Sequence, residues 1–258
     1  MEGQWRATLR VLGGLSRFRR FCRALQIYAV YKFQRGIAGR TEGNHRRKRM
    51  TNSIPLKVTT ESVAEYKTHQ PMWKAAAKLA AGPVWAEFGV CTGMSTRELQ
   101  NYLPASGIFH LFDSLEGIPE PWVMGDGTTY RKGMWSSLGK WPTFTLDDSR
   151  FRHHEGWFAD TLPFKFEQPL GLVHIDSDLY SSCKTVLTAI DPYLVNGTVV
   201  IFDELVDYAG RYPNWEQGEW RALQESGIEI DWKGRARWAM FGVVVNRRHG
   251  PKRAGADR

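Results

Sequence analysis

The sequence predicts an α/β fold, a Rossmann-like and mostly parallel seven-stranded sheet with helices on both faces, closed by an antiparallel C-terminal hairpin. Three observations carry this reading. Short apolar runs recur at 84–90, 108–113, about 151–158, 171–176 and 198–203 with helical segments between most of them, the pattern of a parallel sheet covered on both sides. Two final runs, 228–233 and 237–245, are separated by only a few residues around Gly234, and so short a connection permits only antiparallel pairing. Finally, 42% hydrophobic and 24% charged residues in a chain of 258 are ordinary globular material, enough to bury one substantial core.

Residues 1–50 hold thirteen Lys or Arg against Glu2 and Glu42, and Leu9, Leu12, Leu15, Phe18, Cys22, Leu25 and Tyr28 recur among them at roughly helical spacing. Residues 1–52 therefore read as a basic amphipathic helical extension and linker. Such a segment packs on the body, on a second copy of the chain in a homo-oligomer, or on an anionic membrane surface. Arg17, Arg19, Arg20 and Arg23 interrupt it too often for the ~20 apolar residues of a membrane span. It also lacks the separated charged and apolar regions of a secretory signal. Three scattered cysteines, Cys22, Cys91 and Cys183, fit neither a disulfide nor a metal-finger framework, so a cytoplasmic location is expected. The basic tail, 247–258, adds further positive charge. Of the net +8, the two ends hold +15 and residues 51–245 hold −7, which disfavours a nucleic-acid cleft in the body.

The body, 53–246, opens with a helix expected around 60–81. Its first strand runs into Glu87-Phe88-Gly89-Val90-Cys91-Thr92-Gly93-Met94-Ser95, a turn into a helix in which Gly89 and Gly93 let the backbone approach a ligand at the carboxyl edge of the sheet. The dehydrogenase fingerprint G-x-G-x-x-G is not met, since Cys91 and Thr96 stand where glycines would be. Asp113 ends the second strand twenty residues after Gly93, where a carboxylate can accept hydrogen bonds from the two hydroxyls of a ribose.

Residues 117–149, rich in Gly, Pro and Trp and without clear period, follow that strand and read as a lid or substrate wall, in which Trp122, Trp135 and Trp141 are either core or a sugar-stacking surface. His153 and His154, near the third strand, read as packing or surface residues rather than as a base. The fourth strand ends in Asp176-Ser177-Asp178 and the fifth in Asp203-Glu204. Carboxylates gathered at one edge repel one another unless a hard cation neutralises them, and oxygen ligands suit Mg²⁺ or a similar divalent ion.

The ordered segments EFGVCTGMS, FDSLEGIPEP, GWFADTLP, HIDSDLYSS and VVIFDE resemble the macrocin O-methyltransferase (TylF-like) family, which methylates sugar hydroxyls of bacterial natural products. The resemblance covers roughly residues 60–245. It implies the class I methyltransferase version of the sheet, S-adenosyl-L-methionine as cofactor, and a small-molecule hydroxyl acceptor that contains a sugar. By the same resemblance, Glu87, Gly89 and Ser95 hold the methionine end of the cofactor, Asp113 its ribose, and Gly156, Trp157 and Phe158 lie near the adenine. Asp176, Asp203 and Glu204 match the family's metal ligands, and Asp178 a general base. The family usually has two aspartates where this chain has Asp203-Glu204, and the longer glutamate bears on metal identity. A catechol-type enzyme acting on a phenolic diol is the alternative. Its usual lysine, three residues after the first metal aspartate, is replaced by Leu179, which favours a sugar or other polyol.

Overall fold

The computed structural model describes residues 63–247; the expected amphipathic extension and the basic tail beyond 247 lie outside the described residues. Ten strands are present among them: β1 Ala64–Glu65, β2 Val84–Phe88, β3 Ile108–Asp113, β4 Trp122–Val123, β5 Thr129–Tyr130, β6 Phe151–Glu155, β7 Leu172–Ile175, β8 Val199–Phe202, β9 Glu229–Ala236 and β10 Ala239–Val245. Eight form one sheet in the order β1-β9-β10-β8-β7-β2-β3-β6, while β4 and β5 make a separate hairpin. Every pairing in the large sheet is parallel except those of β10, which runs antiparallel to both β8 and β9. The seven expected strands are all found, and the two-residue β1 adds an eighth at the edge.

β2, β7 and β8 are buried along their whole length, and β3 is buried at all but its first residue, as a parallel strand covered on both faces must be. Trp85, Phe88, Phe109 and Phe112 are each under 2% exposed. Burial of each such side chain stabilises the fold by about 2–3 kcal/mol. Helix α1, His69–Leu79, buries Met72, Trp73, Ala76 and Ala77, one face at helical spacing. Helices α2 (Met94–Leu99) and α3 (Phe158–Thr161) are short; α4 (Tyr180–Ile190) packs against α5 (Glu219–Ser226).

Two boundaries differ from expectation for identifiable reasons. The helix expected from about 60 starts at His69, which puts Pro71 in the first turn, where its missing N–H costs nothing; an earlier start would bury that proline in the helix interior. Gly234 is not the hairpin turn. It lies inside β9, where an added Cβ would sit 2.3 Å from the Phe241 ring and 2.8 Å from Tyr66, and the connection is made by Arg237 and Trp238, with Arg237 at φ 57°. The stretch 117–149 does contain order. Trp122 is 6% exposed and packs on Tyr130, Trp135 and Tyr212, while Trp141 packs on His153. No helix among the described residues is long and apolar enough to cross a membrane.

Candidate active site

The parallel register lines up the strand ends. Gly89 N–H donates to the Phe112 carbonyl at 2.9 Å, Asp176 N–H to Phe88 at 2.9 Å and Asp203 N–H to Ile175 at 3.0 Å. The glycine turn, the Asp176 loop and the Asp203 loop are thus laced together at the carboxyl edge, where ligands of such sheets bind. The approach is close at Gly89, φ 92°, where a Cβ would lie 1.9 Å from the Asp176 carbonyl oxygen. Gly93, φ 72°, begins α2, and a Cβ there would meet Pro142 of the 117–149 stretch at 2.7 Å. That stretch therefore packs directly on the turn.

Glu87 is wholly buried at the end of β2. One of its oxygens accepts from the Ser95 hydroxyl and faces His174 Nδ1 at 2.9 Å; the other accepts from Thr96 Oγ1 at 2.5 Å. Glu87 and Ser95 thus bond to each other beneath the turn. Asp113 Oδ2 accepts from Val90 N–H at 2.7 Å and Cys91 N–H at 2.8 Å, and Oδ1 from Leu115 N–H at 2.6 Å. Of roughly four acceptor positions on a carboxylate, Asp113 keeps about one for a ligand. Gly156 N–H donates to the Asp113 carbonyl at 3.1 Å, and Phe158 packs edge-on to Phe88, so Gly156, Trp157 and Phe158 stand at the same edge. Burial, with Asp113 and Asp176 next in effect, pushes the Cys91 thiol up to about 12, so it stays protonated beside the turn.

The acids divide into two groups. Asp176, Asp178 and Glu204 bring one carboxylate oxygen each within 4.8 Å of one another. At that separation two unit charges repel by about 3–4 kcal/mol for an effective dielectric near 20. Burial raises the Asp176 carboxyl well above the ordinary range, with the charges of Asp203 and Asp178 adding to it; Glu204 is raised by burial and then by Asp176. Asp178 is raised by burial and by Glu219.

Asp203, which the resemblance groups with Asp176 and Glu204, instead faces His174 Nε2 at 3.5 Å and His69 Nδ1 at 4.0 Å. Burial alone would raise Asp203, but those imidazoles outweigh it and hold the carboxyl below its usual value. Asp178 stands in its place.

A cation fits this site. Three oxygens converge from two loops, and Glu204 Oε2 is buried with no hydrogen-bond partner among the described residues. A buried, unpaired carboxylate oxygen is costly unless something neutralises it.

Sequence reading missed two residues of this centre. His174 is 0% exposed and bridges Glu87 to Asp203; although burial opposes its charge, the two carboxylates push its pKa up to about 10. Glu219, also 0% exposed, is the first residue of α5 and accepts from Ser177 N–H at 3.2 Å and Ser177 Oγ at 2.8 Å. Their partners lie 87 and 42 residues away in sequence. His174 beside Asp176 was the one local signal, since a polar residue inside a buried strand needs a partner. His153 and His154 are packing groups as expected: His153 Nε2 lies 2.8 Å from Thr145 Oγ1, and His154 stacks on Phe112 with centroids 4.2 Å apart.

A family model described as macrocin O-methyltransferase (TylF) matches residues 79–238. Among curated proteins, the chain is 36% identical over 78 residues to 8-demethyl-8-(2,3-dimethoxy-alpha-L-rhamnosyl)-tetracenomycin-C 4'-O-methyltransferase of Streptomyces olivaceus, covering 27% of this chain and 30% of that protein. It is 31% identical over 91 residues to mycinamicin III 3''-O-methyltransferase of Micromonospora griseorubida, covering 35% of this chain and 36% of that one. The matches thus span about a third of the length of these curated relatives. Among solved structures, the calicheamicin methyltransferase CalS11 superposes with a TM-score of 0.56 at 24% identity, over 68% of this chain and 78% of that one, which shows the fold. With the matched region spanning all the strand ends described above, the chain belongs to the macrocin O-methyltransferase family.

Proposed function

We propose that this protein transfers the methyl group of S-adenosyl-L-methionine to a hydroxyl of a sugar or glycosylated natural product, with help from a divalent cation. The observation that supports the reading most is the convergence of Asp176, Asp178 and Glu204, one oxygen of Glu204 without a partner among the described residues, with the main chain of Asp176 close against Gly89. Family membership and the sugar O-methyltransferases named among the relatives support the acceptor class.

In this reading the acceptor oxygen attacks the sulfonium methyl in line, the C–S bond breaks with its electron pair left on sulfur, and the hydroxyl proton passes to Asp178. The chain's main contribution is to hold the two reactants in register. The remaining acceptor position of Asp113 takes a ribose hydroxyl, and residues 156–158 border the adenine. Asp176 and Glu204, joined by one oxygen of Asp178, would hold the cation, which when bound would supply Lewis acidity to the acceptor hydroxyl. Asp203, which the resemblance adds to this ligand set, faces His174 and His69 from the adjoining position. Asp178, its carboxyl already raised, serves as proton acceptor. Residues 1–52 act outside this chemistry, as a packing, oligomer or membrane-surface element.

The test is transfer of labelled methyl from S-adenosyl-L-methionine to a panel of glycosylated acceptors, with Mg²⁺ and with EDTA. Label in the acceptor only when the cation is present is the expected result. Undiminished transfer after exhaustive chelation would remove the cation, and no transfer to any hydroxyl acceptor would remove the activity.

A further inference from the structure

The residue proposed as proton acceptor sits in strained backbone. Asp178 has φ 59°, in the left-handed region that a residue with a Cβ rarely visits, and the N–H of Leu179 donates across it to the Ser177 carbonyl at 2.6 Å. An i to i+2 hydrogen bond spanning a central residue of positive φ is the γ-turn of the rarer, strained kind. Such a conformation persists only where its surroundings over-determine it.

Here a buried side chain from a neighbouring helix holds it. Glu219 reaches the turn from α5, and a single oxygen, Oε1, accepts both the main-chain N–H and the side-chain hydroxyl of Ser177, the residue that opens the turn. Glu219 is itself fixed. It is fully buried, and Gly218 before it lets the buried Tyr212 hydroxyl come so near that a Cβ would lie 2.0 Å from it. The Glu219 charge raises the Asp178 and Glu204 carboxyls further, while its hydrogen bonds from Ser177 hold it in place.

We infer that Glu219 is a positioning residue: through its two hydrogen bonds to Ser177 it clamps the strained turn and aims the Asp178 carboxylate at the group formed with Asp176 and Glu204. This rests on the proposed reading of that group, and it adds a residue that does not touch the acceptor. The clamp needs an acceptor oxygen at Oε1 and not a negative charge. Glutamine keeps that oxygen and loses the charge, whereas alanine loses both.

Calorimetric titration of full-length protein with Mn²⁺, in the presence of saturating S-adenosylhomocysteine, separates the two. Glu219→Ala should weaken Mn²⁺ binding at least tenfold while S-adenosylhomocysteine affinity stays within twofold, and Glu219→Gln should stay within threefold of wild type. Equal losses in the Ala and Gln variants would show that Glu219 acts by charge and overturn the clamp. If Glu219→Ala does not fold, Ser177→Ala, which removes one of the two bonds, should give a smaller loss of about threefold; none would count against the clamp. Crystal structures of Glu219→Gln and Glu219→Ala judge the turn independently, with Ser177→Ala, in which the turn should also relax, in place of Glu219→Ala where that variant does not fold. Retained φ near +60° is expected for Gln, and relaxation at Asp178 for Glu219→Ala where it folds. An unrelaxed turn in Glu219→Ala overturns the inference. Wild-type protein that binds no Mn²⁺ would instead defeat the cation reading, and the crystallographic comparison would then decide the clamp.

Discussion

Replacing His174 by leucine should be among the most damaging single changes in the described chain. The imidazole is 0% exposed and stands between Glu87 at 2.9 Å and Asp203 at 3.5 Å. Removing one member of a buried ion pair leaves the other charge uncompensated, at a cost of about 3–5 kcal/mol. The pKa points the same way: against the effect of burial, the Asp203 and Glu87 carboxylates raise it from 6.5 to about 10, so the folded state favours the protonated imidazole.

The folded pKa is raised, so this stability is fully present below pH 6.5, where the unfolded imidazole is also charged, and is lost as the pH rises towards 10. Urea unfolding of wild type and His174→Leu, followed by tryptophan fluorescence at pH 6, 8 and 10, should show a gap of about 3–5 kcal/mol at pH 6 that narrows at each step. In thermal terms the loss is about 6–20 °C for a domain of this size. A gap that stays constant with pH would refute the imidazolium bridge and reduce the effect to lost packing. A gap below about 1 kcal/mol would refute the burial argument itself.

Three further outcomes are expected. Asp113→Ala should weaken calorimetric S-adenosylhomocysteine binding at least tenfold, more than one lost ligand bond implies, because the N–H groups of Val90 and Cys91 lose their acceptor as well; unchanged affinity in a folded variant would remove the assignment. Gly89→Ala should fail to bind S-adenosylhomocysteine and should melt several degrees lower, since its Cβ meets backbone 1.9 Å away and the backbone is at φ 92°; a wild-type melting curve would contradict the close approach. Burial, with His110 and His153, lowers the His154 pKa to about 4, so the unfolded chain takes up this proton first and stability falls as the pH drops from 6.5 towards 4. His154→Gln should flatten that part of the melting-temperature profile relative to wild type, and an identical slope would exclude His154 as its source.

The sheet was legible because its signal is local. Fully buried parallel strands read as continuous apolar runs, and Glu87, Asp113, Asp176 and Asp203 announce themselves by ending those runs. The Gly89 turn was legible for the same reason. What could not be read was the choice each acid makes among partners that the fold brings together from distant segments. Asp203 and Glu204 are adjacent in the chain yet serve different neighbours, because His174 and His69 approach one while Asp176 and Asp178 approach the other. Glu219 was invisible because it starts an amphipathic helix, where an acidic residue is ordinary. Gly234 was misread as a turn because sequence alone cannot tell a glycine needed for φ from one needed for space.

The contact between Gly89 and the Asp176 carbonyl has a consequence for how the acceptor range of such a protein can change. Turn and acid loop touch through main chain alone, with no room for a side chain between them. On the proposed reading, the spacing between methyl donor and receiving oxygen would follow from the pairing of β2 with β7, and point substitutions would have little leverage on it. Diversification would then fall on surfaces that can be rebuilt without disturbing that pairing, such as residues 117–149 and the loop from 205 to 218. Recombining those two segments between relatives should move acceptor preference while the transfer distance stays fixed.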